Sequence, residues 1–459
     1  MHTLFKRALL SSAVVGTSWT GAVSYWRATN RMPSALDLFV WMAALPLVVL
    51  LAVWGWRRIA AARAAPAPDA NAPGNVAPAV AAPPVLPSLA ILASAIRTPH
   101  GATPAELAQA LGEHRARPGL DPELVDDDGF PVLSARADAA VDDALEDDIG
   151  AWRAGATIDD PRWTPAQWRA LALGTAVAAE LLLPATGHPR MAAGDDGDHG
   201  AAGVPLLRIH AVVTPDWNEA QRTAAGAWLA ALAVQYGWPA QRVRVASHSA
   251  SAAATLAELA SHAERGAEPV LALVLAFGSR VDQAHVDELA MQGALFTATN
   301  PQGRVPGEAA AGLLVADAAQ ATLFDPGAPR LQLASTPRGA QASGARPDTA
   351  LLRQLAAVLL PEAGDAAAVR AVFSDTGHAS AHLVELMRFA GDALPHLDAG
   401  EDLKALGGAC GHCGEAPFLA TLALAHQHAL DSGGAALCVG NEDPLQRTAA
   451  LVRPAAAHS

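Results

Sequence analysis

Lysine is almost absent from this chain of 459 residues, in which Lys6 and Lys404 are the only two. Lysine and arginine together number 31 against 45 aspartates and glutamates, so the formal net charge is -14. Nucleic-acid binding needs clustered cations facing the phosphates. The charge balance therefore excludes a nucleic-acid partner.

Cysteine is equally scarce. The chain has 3 cysteines, and Cys410, Cys413 and Cys438 all lie near its end. This number is too small and too local for a disulfide scaffold, so we expect a reducing compartment. Hydrophobic residues make up 51% of the chain, which is enough for a large core.

Two apolar runs lie close to the start of the chain, at 8–26 and 36–56, and residues 38–56 carry no charge. Such a stretch is long enough to cross a hydrocarbon layer of about 30 Å. Cations cluster outside the two runs, and fewer lie in the loop between them: Lys6, Arg7, Arg57, Arg58 and Arg63 against Arg27 and Arg31. The positive-inside rule then predicts a transmembrane hairpin with both ends in the cytoplasm.

We therefore expect residues 1–58 to anchor the protein in a bacterial inner membrane, with the soluble part in the cytoplasm. An alternative is that residues 1–24 form a cleaved signal peptide, which would place the soluble part outside. Residues 59–87 are rich in alanine and proline, which favours an extended spacer between anchor and domain.

Short buried-strand patterns alternate with helical patterns over the rest of the chain, which favours a mixed or parallel sheet covered by helices on both sides. Two such sets are expected, at 88–317 and 318–459. The strands are predicted at 89–99, 206–213, 242–246, 270–277, 369–373, 435–439 and 449–452. The helices are predicted at 163–183, 217–236, 251–265, 349–359, 378–389 and 418–429.

The segment 305–315 reads Val-Pro-Gly-Glu-Ala-Ala-Ala-Gly-Leu-Leu-Val. Gly307 and Gly312 permit tight turns and close backbone approach that a Cβ would block. This run resembles the Pro-Gly-Glu-Ala segment of β-ketoacyl synthases in the thiolase superfamily. The resemblance implies an α/β, duplicated thiolase-like fold of mixed sheets layered with helices, and the Pro-Gly-Glu run would lead into a buried strand.

β-Ketoacyl synthases carry a nucleophilic cysteine at a strained strand-to-helix turn. The corresponding turn here, 245–253, contains no cysteine. Ser249 or Ser247 would have to replace it beside His248, but neighbours at a turn usually point apart. The alternative role for Ser249 is the N-cap of the following helix.

The synthase histidine motifs are matched only in part. The resemblance places Ser374 or Asp375 where the first catalytic histidine would lie. His378 and His382 follow, and their spacing would put them on one helical face, where a zinc pair is conceivable. Within 409–416, His412 takes the place of the second catalytic histidine.

The segment 410–413 reads Cys-Gly-His-Cys, which is also the redox sequence of protein disulfide isomerases. Cys410 and Cys413 are therefore candidate redox or nucleophilic groups. A zinc site that adds Cys438 and His426 or His428 would require distant residues to converge. We expect no cofactor and no metal.

Loss of the nucleophile and of one histidine favours a catalytically degenerate domain that serves as an adaptor or scaffold. The run 306–315 also resembles the adaptors of lipase effectors in type VI secretion, which implies an effector or a secretion component as protein partner. A homodimer is implied by analogy with thiolase folds. The alternatives are an active acyltransferase or condensing enzyme that uses Ser249 or Cys410 with His412, and a thiol-disulfide redox protein.

The first two hypotheses predict different cavities. An enzyme would bring Ser249, Ser374 and His412 together in one pocket. An adaptor would have that pocket closed by bulky side chains and an apolar patch elsewhere on its surface.

Overall fold

The computed structural model describes residues 86–138, 143–155, 162–192, 204–266, 268–338 and 349–455. The predicted anchor at 1–58 and nearly all of the predicted linker at 59–87 lie outside the described residues. Within the described part, one helix, Pro165–Thr186, is long and apolar enough to cross a membrane, and most of it is buried inside the protein. It is a core helix of the domain.

Ten strands form one mixed sheet, and two short strands form a separate hairpin. The strands are β1 (Ser88–Arg97), β2 (Gly119–Val125), β3 (Pro131–Ser134), β4 (Leu207–Val213), β5 (Val243–His248), β6 (Leu271–Ser279), β7 (Glu308–Ala316), β8 (Arg330–Pro337), β9 (Val369–Ser374), β10 (Leu403–Ala405), β11 (Ala435–Gly440) and β12 (Gln446–Arg453). The large sheet runs β10-β9-β11-β12-β8-β1-β7-β6-β4-β5, and β2 pairs with β3.

The order of the large sheet contains the same five-stranded arrangement twice. In the first half, β4 is parallel to β5 and β6, and β7 is antiparallel to both β6 and β1. In the second half, β9 is parallel to β10 and β11, and β12 is antiparallel to both β11 and β8. The two halves meet where β1 pairs with β8. The chain therefore carries an internal duplication, with the division between Ala316 and Arg330.

Twelve α-helices occur in the described ranges. They are α1 (Pro104–Gly112), α2 (Asp143–Gly155), α3 (Pro165–Thr186), α4 (Pro189–Ala192), α5 (Glu219–Gln235), α6 (Ala252–Arg265), α7 (Gln283–Met291), α8 (Ala318–Phe324), α9 (Ala350–Leu359), α10 (Ser380–Ala393), α11 (Gly407–Cys410) and α12 (Ala416–Ser432).

Three buried clusters show how helices and sheet are layered. One cluster joins α3 and α5 to the outer face of the first-half strands, and another joins α9 and α10 to the outer face of the second-half strands. The largest cluster lies between the two halves of the sheet and contains α6 and α12. Strands β6 and β7 are buried along their whole length because helices cover both of their faces.

The sequence predicted most of these elements but not all. Strand β8 was not predicted, although it pairs with both β1 and β12. The helix predicted from residue 378 begins at Ser380, so His378 lies before it and does not share a helical face with His382. The shared-face prediction was wrong.

The two glycines of the segment 305–315 lie where a side chain would collide with its surroundings. A Cβ on Gly307 would lie 2.0 Å from the carbonyl oxygen of Cys410, and one on Gly312 would lie 2.6 Å from the Leu275 side chain. Between them, β7 begins at Glu308 as a fully buried strand. Close approach at Gly307 and Gly312, and the strand that follows the Pro-Gly-Glu run, are both confirmed.

Glu308 anchors this strand through a buried ion pair. Its carboxylate accepts hydrogen bonds from Arg169 Nη2 at 2.5 Å, Arg169 Nε at 2.8 Å and the Ala137 N–H at 2.7 Å. The Ser279 hydroxyl donates a fourth hydrogen bond at 2.8 Å. Because a buried charge is tolerated only when it is paired and hydrogen-bonded, this glutamate has a structural role.

Candidate functional site

A cavity of about 590 Å³ opens at the carboxyl ends of the parallel strands in both halves. Its walls come from the turns that follow β4, β5, β9 and β11, from residues 302–305 and from the segment that leads into α12. Ligands of α/β proteins commonly bind at this end of parallel strands. Polar and titratable side chains in the wall include Ser251, Arg304, Asp375, His378, His382, His412, Cys413, Glu415, Glu442 and Asp443.

The N-terminus of α6 reaches this cavity and is occupied by a carboxylate of the protein itself. The Ala252 N–H donates to Glu415 Oε2 at 3.0 Å, and Ser251 also hydrogen-bonds to Glu415. Burial raises the pKa of Glu415, partly offset by the Ala252 N–H. This is the strand-to-helix turn at which the synthase resemblance would place a nucleophilic cysteine.

Ser249 lies outside the cavity. Its side chain is exposed, and the N-cap of α6 is Ser251, two residues further on. The predicted N-cap role of Ser249 is therefore wrong. The hydroxyl of this turn that lines the cavity is that of Ser251.

His412 lies in the cavity wall beside two basic groups. Its ring is stacked on His285 with centroids 6.4 Å apart, and Arg304 Nη1 lies 3.5 Å from its Nε2. Burial, with Arg304 and Arg280 as neighbouring cations, lowers the pKa of His412 to about 4. The imidazole is consequently neutral at physiological pH.

His378 and Ser374 occupy different depths. His378 lines the cavity, with its Nε2 2.7 Å from the carbonyl oxygen of Gly303. Ser374 is fully buried outside the cavity lining, and its hydroxyl donates to the carbonyl oxygen of Val439 at 2.9 Å. The predicted convergence of Ser249, Ser374 and His412 therefore does not occur, and neither does the predicted closure of the pocket.

All 3 cysteines are free and buried. Burial raises the pKa of Cys410 to about 12 and the pKa of Cys438 to about 12. Burial raises the pKa of Cys413 as well, and Cys410 and Glu308 add to that shift. A reactive redox cysteine has a lowered pKa, often at a helix N-terminus, whereas Cys410 is the last residue of the short helix α11.

The carboxylate of Glu442, which follows β11, and the imidazole of His382, in the first turns of α10, form a hydrogen-bonded pair in the wall. His382 Nδ1 lies 3.1 Å from Glu442 Oε1, which also accepts the Gly377 N–H at 2.5 Å. Burial by itself would raise the pKa of Glu442, but His382 and the Gly377 N–H outweigh it and lower the pKa. Glu442 is therefore ionised at neutral pH.

Asp375 lies beside this pair, directly after β9. Its Oδ1 accepts the N–H of Asn441 at 2.9 Å and that of Glu442 at 3.4 Å. Burial raises the pKa of Asp375 to about 8, with the charges of Glu442 and Glu415 adding to the shift and the Asn441 N–H opposing it. At pH 7 most molecules carry a neutral carboxyl group here.

Within the described ranges, no group of three or more histidine, cysteine, aspartate or glutamate side chains is arranged to hold a metal ion. In this part of the chain, neither the His378 and His382 pair nor the cysteines belong to such a group.

No protein-family model and no curated protein matches the chain. Solved structures do. The chain is similar to the ishigamide ketosynthase/chain length factor at 17% identity, with a TM-score of 0.54, covering 80% of this chain and 99% of that one. It is also similar to the ketosynthase from module 6 of the bacillaene synthase of Bacillus subtilis 168, at 13% identity and a TM-score of 0.54, covering 80% and 72%.

The chain has a thiolase-like fold. The likeness covers 80% of the chain, which is more than either five-stranded half alone. At 13–17% identity the similarity establishes the fold only, so the chemistry of the site must be derived from the residues of this chain.

In this thiolase-like fold, sequence reasoning recognised some of the cavity residues and missed others. His378, His412 and Cys413 were identified and do line the cavity. Glu415 and Glu442 were missed. A signal for Glu442 was available, because Asp375 directly follows β9 and Glu442 closely follows β11, and the carboxyl ends of adjacent parallel strands meet at one edge of a sheet.

Proposed function

We propose that this thiolase-like domain is an adaptor or scaffold that does not perform ketosynthase-type acyl transfer. The observation that carries the proposal is the Glu415 carboxylate, which binds Ser251 and the Ala252 N–H at the N-terminus of α6, in a turn that contains no cysteine. Acyl transfer requires hydrogen-bond donors facing the oxygen on which negative charge develops. A carboxylate already bound to such a donor opposes that charge.

The thiols give a second line of support. Their pKa values are raised by burial, so almost no thiolate is present at neutral pH. The thiolate is the form that attacks a thioester or a disulfide. The buried thiols thus favour a structural role for Cys410 and Cys413 over acyl transfer or disulfide exchange.

We further propose that residues 1–58 hold the domain at the cytoplasmic face of a bacterial inner membrane. The uncharged run and the flanking cations support this. If so, the full-length protein should sediment with membranes and resist extraction by carbonate, whereas a chain without residues 1–58 should remain in the supernatant. Sedimentation of the shortened chain with membranes would count against the anchor.

The proposed partner is a protein, with an effector of the type VI lipase class as the specific candidate suggested by residues 306–315. Self-association is also proposed. Among the residues that the structure describes, strand β5 lies at one edge of the ten-stranded sheet, and an edge strand can pair with a strand of another chain.

A condensing enzyme is the second candidate function, and the open cavity with His412 in its wall favours it. One experiment separates the two candidates. The full-length protein is incubated with an acyl-thioester donor and digested, and acylated residues are located by mass spectrometry. The adaptor proposal predicts no acylation at Ser249, Ser251, Cys410 or Cys413.

A double variant, Ser251→Cys with Glu415→Gln, provides the positive control because it supplies a thiol at the helix N-terminus and removes the opposing carboxylate. Its acylation would show that the donor reaches α6. Stable acylation of the unmodified protein at any of the four positions would overturn the adaptor proposal.

A further inference from the structure

The cavity retains a set of acid–base groups that acyl transfer does not explain. His382, Glu442 and Asp375 line it together. Glu442 joins the other two, because its carboxylate contacts His382 Nδ1 and its N–H donates to Asp375 Oδ1. Asp375 and Glu442 lie just after the paired strands β9 and β11, and His382 lies in the first turns of α10, about sixty residues before Glu442 in the sequence.

The contact with Glu442 determines which nitrogen of His382 can act as a base. A carboxylate can only accept at this site, so Nδ1 carries the proton and donates it. In the neutral ring the lone pair then lies on Nε2. A carboxylate on one ring nitrogen also stabilises the imidazolium that forms when the other nitrogen takes up a proton.

Asp375 is oriented so that it can act as a proton donor, whereas His382 acts as a base. Two backbone N–H groups converge on Oδ1 and fix the orientation of the carboxyl group. The proton of the neutral acid then belongs on Oδ2. A neutral carboxylic acid on a cavity wall can donate a hydrogen bond to a carbonyl oxygen on which negative charge develops.

We propose that this cavity is a proton-transfer site for small carbonyl compounds, in which His382 removes a proton from the carbon next to the carbonyl and Asp375 donates to the carbonyl oxygen. The C–H bond breaks, its proton goes to His382 Nε2, and the electron pair forms the enol double bond. The carbonyl oxygen takes the proton of Asp375. Reversal restores the ketone, so no oxidant, reductant or leaving group is needed.

The electrostatics of the cavity are consistent with these roles. Asp375 has a raised pKa and is largely neutral at pH 7, whereas Glu442 has a lowered pKa and is charged. Two carboxyl groups in contact through the backbone thus have opposite protonation states, so Asp375 can donate its proton while Glu442 accepts the proton on His382 Nδ1. The volume, about 590 Å³, admits a small organic ligand.

The test is exchange of the α-hydrogens of cyclohexanone in D₂O, followed by NMR on the full-length protein. The wild type should accelerate exchange, and His382→Gln should lose about 10²-fold of the added rate. Asp375→Ala should lose about 10²-fold as well, because the donor to the oxygen is gone. Asp375→Asn should retain more activity than Asp375→Ala, since an amide keeps both an acceptor and a donor at this position.

A matched control is His114→Asn. His114 is an exposed histidine outside this cavity with φ 56, a conformation that asparagine tolerates. It should exchange at the wild-type rate. If His382→Gln does not fold, Glu442→Gln serves in its place, because it keeps the shape but not the charge that orients His382.

A wild type no faster than buffer, or no faster than a folded His382→Gln, would overturn the inference. So would an equal loss in His114→Asn. The result is independent of the proposed adaptor role, because exchange requires no nucleophile and acylation of α6 does not involve His382. Failure of one proposal therefore leaves the other standing.

Discussion

Removal of the Glu308 carboxylate should destabilise the protein more than any surface ion-pair substitution. Glu308 is fully buried, and its partner Arg169 is 13% exposed. Glu308→Ala leaves the Arg169 guanidinium without its partner in the interior. It also removes the acceptor for the Ala137 N–H and the Ser279 hydroxyl.

The expected loss in the free energy of unfolding is about 3–5 kcal/mol, the usual consequence of leaving one charge of a buried pair uncompensated. Arg169→Met should cost a similar amount, because it leaves the carboxylate unpaired. The double variant Arg169→Met with Glu308→Leu should cost less than the sum of the two, by about 2 kcal/mol or more, since no buried charge then remains.

Equilibrium urea unfolding followed by tryptophan fluorescence measures these values, because Trp217 and Trp238 are both buried and report loss of the core. Glu268→Ala is the matched control. It breaks an ion pair with Arg208 in which the glutamate is 71% exposed, and such a pair contributes only about 0–1 kcal/mol. A loss below about 1 kcal/mol for Glu308→Ala, or strict additivity in the double variant, would refute the reasoning.

Three further predictions concern the cavity, the thiols and the assembly. The new thiol in Ser251→Cys should be alkylated by iodoacetamide faster than the native cysteines, which should react only after unfolding in urea. Adding Glu415→Gln should raise the alkylation rate of that thiol further. Equal reactivity of all thiols would contradict this prediction. Asp375 binds its proton more tightly in the folded state, with a pKa of about 8 against 3.8, so its contribution to stability is full below pH 4 and is lost as the pH rises through 8. The free energy of unfolding of Asp375→Asn should therefore rise relative to that of the wild type as the pH increases from 5 to 9. A difference that does not depend on pH would argue against this. Light scattering should give the mass of a dimer, and a monomer over a wide concentration range would count against self-association.

Much of the fold could be predicted from the sequence because long apolar runs make up many of its strands and helices. Strand β6 is apolar from Leu271 to Phe277, helix α12 is apolar from Ala416 to Ala425 except at Thr421, and both were predicted within a few residues. Strand β8 was missed because its sequence, Arg-Leu-Gln-Leu-Ala-Ser-Thr-Pro, mixes polar residues into the pattern. Gln332 is nevertheless buried, since its amide donates to Glu362 Oε2 at 2.9 Å. A partner thirty residues away in the sequence cannot be inferred from local composition.

The candidate site was less predictable for a related reason. The turn after β5 was identified as the position of the missing nucleophile, but Ser249 or Ser247 was named there and Ser249 as the helix cap, whereas the N-cap of α6 is Ser251. Helix ends are uncertain by one or two residues from sequence alone. Glu415 lies at that helix through a contact between residues more than 160 apart. Only the folded sheet brings them together.

Helix α12 belongs to the second half of the chain but packs against β7, β1 and β6 of the first half as well as β9, β11 and β12 of its own. The strand order is therefore duplicated, but the two copies are not independently stable units, because they share one hydrophobic interior. The arrangement is that of a dimer whose subunits have been fused into a single polypeptide, with α6 and α12 as its permanent internal interface. Neither copy could be separated from the other without exposing that interface to water, so the two must fold as one cooperative unit.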